Sequence, residues 1–333
     1  MNKMANYLTA QKAFRSLLAS ARRGKIGQAY IFEGVKGVGK FTAARIFANA
    51  IHCTGDIKPC GECPDCKKHA ANTHSDLIII GTEGSIMVDD IRAMNEQLYI
   101  KPALSDKKIF IIRAADNMND AAQNALLKSF EEPPSYAVII LLSENTKNLL
   151  PTIRSRGSRV VFEPFSEKEV HEYILRQYPL KREIAPFVSL YSGGVIGRAI
   201  ELCESEEFFD TRKNMFEKIS SMTGDRLSLI GVAETFGVKS KSRFSECDLY
   251  FDLFTGFMRD AMALKTGGRI INSDMLMLIE AFSSKVTLSS ILSVIERAAL
   301  TRSQLNKSMN YELWIMNMLI NCWEDIHGKG SRS

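Results

Sequence analysis

Gly34-Val35-Lys36-Gly37-Val38-Gly39-Lys40 lies directly between a short apolar run at 29–33 and a segment of helical periodicity at 42–51. In that setting the GxxxxGK pattern demands a strand, a tight turn and a helix N-terminus in succession, which is how a parallel α/β sheet begins. Further apolar, β-branched runs at 77–80, 109–113, 137–142 and 159–162 read as buried strands. Helical spacing at 88–98 and 120–130 separates them. The expected fold is therefore α/β, a five-stranded parallel sheet with helices on its faces that ends near Glu163.

Past Pro164 the strand signals cease. Ser166 and Glu169 have the spacing of a capping box, and apolar residues keep helical spacing to the end of the chain. Ser192-Gly193-Gly194 breaks two short helices, and another begins over 198–203. These breaks divide the chain into a phosphate-loop core at 1–163, a helical lid at 164–205 and an all-α domain at 206–333. A chain of 333 residues is longer than one hydrophobic core serves, which agrees with that division. In the last helix Tyr311, Trp314, Ile315, Met318, Leu319 and Cys322 recur on one face, the mark of a helix packed in a bundle. The 43 basic and 38 acidic residues leave +5, which permits contact with nucleic acid without demanding it. Residues 1–9 carry no signal-peptide pattern and no apolar run spans a bilayer, so the expected compartment is the cytoplasm, with no membrane partner.

The loop is intact as a phosphate cradle and defective as a catalyst. Gly34, Gly37 and Gly39 let the backbone wrap a phosphate, and Lys40 reaches its outer oxygens. The next position, where a hydroxyl would hold magnesium, is Phe41, and Thr42 comes one residue late, turned about 100° around the helix. At the end of the third strand, where one acid would hold the metal and another activate water, stand Arg113 and Ala114. Asp116 follows too late and reads as a loop acid or a cap before the next helix. ATP binding is compatible with this loop; hydrolysis is not.

Cys53, Cys60, Cys63 and Cys66 crowd one insert, the last three as CxxCxxC. Four thiolates so spaced fit a closed, structural zinc site, with free or redox-active thiols as the other reading. His52, His69 and His74 are near enough for one to replace a cysteine. Cys203, Cys247 and Cys322 fall in apolar helical patterns and read as packing residues. Two arginines leave alternatives open. Arg156, between the fourth and fifth strands, is either solvated or a finger for a neighbour's nucleotide, and Arg198 either lies on a helix surface or faces the γ-phosphate of a bound one.

Over most of 5–205 these features resemble the AAA+ clamp-loader family of bacterial DNA polymerase III, and within it the delta-prime branch. Gln28-Ala29-Tyr30-Ile31-Phe32, the four-cysteine insert, His74-Ser75-Asp76 and Asn124-Ala125-Leu126-Leu127-Lys128-Ser129-Phe130-Glu131-Glu132-Pro133-Pro134 carry the likeness. Ile153-Arg154-Ser155-Arg156 is similar to the family's serine-arginine-cysteine motif, with Gly157 in place of the cysteine. The resemblance implies that Arg156 acts in trans on the ATP of a neighbour and that the chain does not hydrolyse ATP alone. It also implies gamma or tau and delta subunits as partners, loading of a sliding clamp on primed DNA during replication, and a C-terminal collar that joins subunits. Two rivals are an active ATPase of the gamma or tau type, opposed by Phe41, Arg113 and Ala114, and a zinc-bearing DNA-binding module. The latter lacks the concentrated Lys/Arg stripe that autonomous DNA binding needs.

Overall fold

The five apolar runs become five strands, β1 (Ala29–Glu33), β2 (Leu77–Ile80), β3 (Lys108–Ile112), β4 (Ala137–Ser143) and β5 (Ser158–Val161), in a computed structural model. It describes residues 5–9, 11–81, 86–237, 243–305 and 310–328; residues 1–4 and 329–333, where the expected first domain begins and the last one ends, lie outside them. All pairings are parallel and the order is β2-β3-β4-β1-β5. Strands β3 and β4 are buried along their whole length, as continuous apolar runs covered on both faces must be. Their ends differ from the sequence expectation by a residue, since ladder pairing rather than apolarity sets where a strand stops.

Helices α1 (Ala5–Leu8), α2 (Lys12–Arg22), α3 (Lys40–His52), α4 (Pro64–Ala70), α5 (Val88–Leu98), α6 (Asp120–Glu131) and α7 (Pro151–Arg156) accompany the sheet. One side of the sheet packs Ile31, Phe110, Ile112, Ile139 and Leu141 against Ile91, Met94 and Leu98 of α5, Leu126 and Phe130 of α6, and Ile153 of α7. Aromatic contacts join Phe47 of α3 to Tyr30 at 5.3 Å, and Phe32 to Phe162 at 5.2 Å. Lys108 is buried with its ammonium donating to the carbonyls of Gln97 and Ile100 at the end of α5.

Four further helices follow: α8 (Glu167–Gln177), α9 (Ala185–Tyr191), α10 (Ile196–Glu204) and α11 (Glu206–Ser220). The capping box read at the start of α8 is formed, with the Ser166 amide on Glu169 at 2.8 Å and the Glu169 amide on Ser166 Oγ at 3.3 Å. The chain separates into two compact units, 1–177 with 189–200, and 178–188 with 201–333, so α9 and α10 each contribute to both.

The second unit is all-α. It continues through α12 (Ser228–Thr235), α13 (Arg243–Thr266), α14 (Leu276–Ser283), α15 (Leu288–Gln304) and α16 (Tyr311–His327). Phe257 of α13 meets Phe216 at 5.1 Å and Phe282 at 5.3 Å, both edge to face. Arg212 is wholly buried, stacking on Phe187 at 4.2 Å and donating through its two terminal nitrogens to Asp274 and Asn272. On α16 Tyr311, Ile315, Met318, Leu319 and Cys322 are buried as the periodicity expects, whereas Trp314 is half-buried at the edge of the stripe. Cys203 is buried too, and Cys247 half-buried.

Candidate functional site

Because β1 lies inside the sheet, the loop that leaves its C-terminal end emerges beside the end of β4, and the Gly34 amide donates to the Ser143 carbonyl at 3.2 Å. Gly39 begins α3 in the left-handed region, φ 105°, where a side chain would be strained. Gly37, φ 79°, has no room for one: an added Cβ would lie 2.8 Å from Val195 Cγ1. Its carbonyl accepts the Gly197 amide at 3.0 Å, which puts the start of α10 and the exposed Arg198 beside the loop. Lys40 is buried, and its Nζ donates to the carbonyls of Gly34 at 2.5 Å and Val35 at 3.0 Å. Burial holds that ammonium below the usual lysine range, against the upward pull of Glu144 and Asp116.

The two residues that break the magnesium chemistry touch each other. The Arg113 guanidinium lies 4.6 Å from the centre of the Phe41 ring, a cation–π contact, and Arg45 approaches the same ring at 5.9 Å. Asp116 proves to be a loop acid and not the cap of α6. Its Oδ2 accepts the amides of Glu144 and Asn145 at 3.1 Å each, while Asn119 caps α6 by accepting from the Ala122 amide. The residues present do not fit magnesium.

The four cysteines converge. Sγ of Cys60 and Cys66 are 3.9 Å apart, as are those of Cys63 and Cys53, and all four sulfurs lie within 4.8 Å of one another. Zn–S bonds of about 2.3 Å at tetrahedral angles give an S···S edge of about 3.8 Å, so the cluster has the dimensions zinc requires. Amides point at the sulfurs: Gly55 and Cys60 at Cys53, Cys63 at Cys60, and Cys66 at Cys63, at 3.3–3.4 Å. Such donors favour thiolates. The amides of Glu62 and Cys63 lower Cys60, and at Cys63 amide donors outweigh burial and bring the thiol down to about 6, whereas burial pushes Cys53 up and Cys66 up to about 12.

No histidine takes a cysteine's place. His52, His69 and His74 instead form a buried stack beside the cluster, with ring centres 4.2–5.1 Å apart. The partners dictate the tautomers. His52 Nε2–H donates to the Lys107 carbonyl at 2.9 Å, which leaves its Nδ1 to accept from His69 Nε2–H at 2.9 Å. Burial, reinforced by the neighbouring imidazoles, lowers His52 to about 4 and His69 to about 3, so both are neutral at pH 7.

Arg156 ends α7 and is exposed, its Nε 3.5 Å from Glu131 Oε1 at the end of α6. Gly157 follows because space forbids anything larger: a Cβ there would lie 2.6 Å from Ile31 Cγ1. Two residues that hold loops of the sheet domain had no role in the sequence reading. Buried Gln123 accepts the Leu150 amide at 2.7 Å and donates to the carbonyls of Asn148 and Met118, fixing the segment that launches α7. Buried Asp76 accepts three amides, from Ala103, Leu104 and Ser105, at 2.7–2.9 Å. Its place in His74-Ser75-Asp76 was the available signal, but the partners are some thirty residues away along the chain.

Family comparison covers both units. A model described as DNA polymerase III, delta subunit, matches residues 9–166, and one described as DNA polymerase III, delta subunit, C terminal, matches residues 206–324. The DNA polymerase III subunit delta' of Bacillus subtilis is 26% identical over 311 residues, 90% of this chain and 92% of that protein. The tau/gamma subunit of Haemophilus influenzae is 29% identical over 185 residues, 55% of this chain and 27% of its own. Among solved structures, a DNA polymerase III gamma subunit-related protein from Thermotoga maritima aligns over 94% of this chain and 99% of its own, with TM-score 0.45 and 21% identity. With delta-subunit models on both halves and a delta' subunit aligned almost end to end, the chain belongs to the delta-prime family of AAA+ clamp-loader subunits of DNA polymerase III.

Proposed function

We propose that this chain is a non-hydrolysing clamp-loader subunit that lends Arg156 to ATP held by an adjacent gamma or tau subunit. The observation that carries this reading is the Arg113–Phe41 contact, which sets a cation and an aromatic face where magnesium chemistry needs oxygen ligands. With no acid at the end of β3 the chain cannot activate water, so its contribution to hydrolysis comes from the exposed guanidinium at the end of α7. The loop of Gly34, Gly37, Gly39 and Lys40, with Arg198 beside it, keeps the shape of a nucleotide site without the means to turn nucleotide over.

Cys53, Cys60, Cys63 and Cys66 hold a structural zinc in this reading; the ion, when bound, cross-links the loop before α4 and supplies no catalysis. The domain after residue 206 joins gamma or tau and delta subunits as a collar, and contact with the sliding clamp and primed DNA is shared across the assembly. ATP turnover by the purified chain alone, then by the reconstituted loader, is the test. The expected result is background turnover alone and clamp- and DNA-stimulated turnover in the assembly. Turnover by the isolated chain that vanished in Lys40→Ala would establish the rival, an active ATPase.

A further inference from the structure

We propose that the phosphate loop takes a nucleotide polyphosphate in its metal-free form, with the Arg113 guanidinium standing where a magnesium ion would. This deepens the preceding reading and rests on its view that the loop keeps the shape of a nucleotide site. In an NTP site the metal is bracketed by a hydroxyl at the first turn of the loop's helix and a carboxylate at the end of a neighbouring strand. Here those two positions hold Phe41 and Arg113, and they are in contact at 4.6 Å. Magnesium demands oxygen ligands in a near-octahedral shell and keeps several waters. An aromatic face and a guanidinium supply no such ligand, and a fixed positive charge repels the ion.

The same residues suit an uncomplexed polyphosphate. A guanidinium pairs with phosphate oxygens through paired N–H donors, and its charge does not titrate away. Lys40 is already drawn in at the other side, with two of its donors on loop carbonyls that an anion can replace. The cations at the loop, Lys36, Lys40, Arg45, Arg113 and Arg198, outnumber the acids Glu144 and Asp116 by five to two. Asp116 is held by two amides at one oxygen, as a loop acid tied to the segment after β4. A nucleotide without magnesium carries more negative charge than its complex, so it gains more from this environment.

Calorimetric titration of the full chain with ADP and with ATP, in EDTA and again in excess magnesium, tests the assignment. The expected result is affinity at least about tenfold higher in EDTA, as one charge-assisted pairing gained or lost implies. Arg113→Gln should forfeit that advantage, and Arg113→Lys, which keeps the charge, should retain part of it. Phe41→Thr combined with Arg113→Asp should reverse the preference. Equal or tighter binding in magnesium overturns the metal-free assignment and leaves nucleotide binding standing. Absence of binding in both buffers overturns both.

Discussion

At the scale of single residues, buried polar side chains such as Asp76 and Gln123 tie together backbone groups from separate parts of the chain. Asp76 shows the rule. Burial opposes its charge, but three amides outweigh burial and hold the carboxyl below the usual range. Asp76→Ala would strand those amides in the interior at about 1–3 kcal/mol each, so a loss of about 3 kcal/mol or more is expected in denaturant unfolding. The sign with pH follows from the depressed folded value. The contribution of Asp76 is present above its unfolded pKa of about 3.9 and is lost as pH falls through the folded one. Acid unfolding of Asp76→Asn should therefore start from a lower plateau and fall less steeply below pH 4 than the wild type; identical acid profiles would show that Asp76 carries none of this stability.

Among elements, the cysteine insert is the one whose order depends on chemistry rather than on packing. It leaves α3, turns through Gly55 and Gly61, and enters α4, with sulfurs in place of an apolar core. Protein purified without chelator should carry about one zinc per chain. Stripping the metal, or Cys63→Ser, should lower the melting temperature by about 5–10 °C, the shift that a few kcal/mol produces in a unit of this size. The histidine stack beside it should keep α3 and the Lys107 segment in place, because their contact does not pass through the sulfurs. Metal analysis showing no zinc, with an unchanged melt after chelation, would leave the four thiols as a packing cluster.

For the whole molecule, the proposed role predicts that ATP turnover appears only in the assembled loader. Arg156 has its side chain 59% exposed and one long contact to Glu131, so removing it disturbs little within the chain. Arg156→Ala should leave zinc content and melting near normal while lowering clamp- and DNA-stimulated hydrolysis in the reconstituted loader. A finger can contribute about 10³–10⁵ in rate at one site, and the other sites of the assembly dilute the observed loss. Arg154→Ala serves as the control. Loading at the wild-type rate by both variants would return Arg156 to the surface-arginine reading.

What could be read along the chain were the properties carried by neighbours in sequence. The five strands announce themselves as β-branched runs, the capping box as Ser166 and Glu169, and the loop by its glycines. The cysteines show the same locality, since the whole cluster lies within fourteen consecutive residues, Cys53 to Cys66. Local patterns are legible because backbone propensity, turn geometry and ligand spacing act over a few residues. Contacts across the fold decided the rest. That Phe41 meets Arg113, that Gln123 steadies the start of α7, and that Asp76 gathers amides near residue 104 all depend on strands and loops distant in sequence being set side by side. Those pairings come from the sheet order β2-β3-β4-β1-β5, in which crossovers bring distant segments to one edge, and no spacing along the chain encodes which polar group will find which.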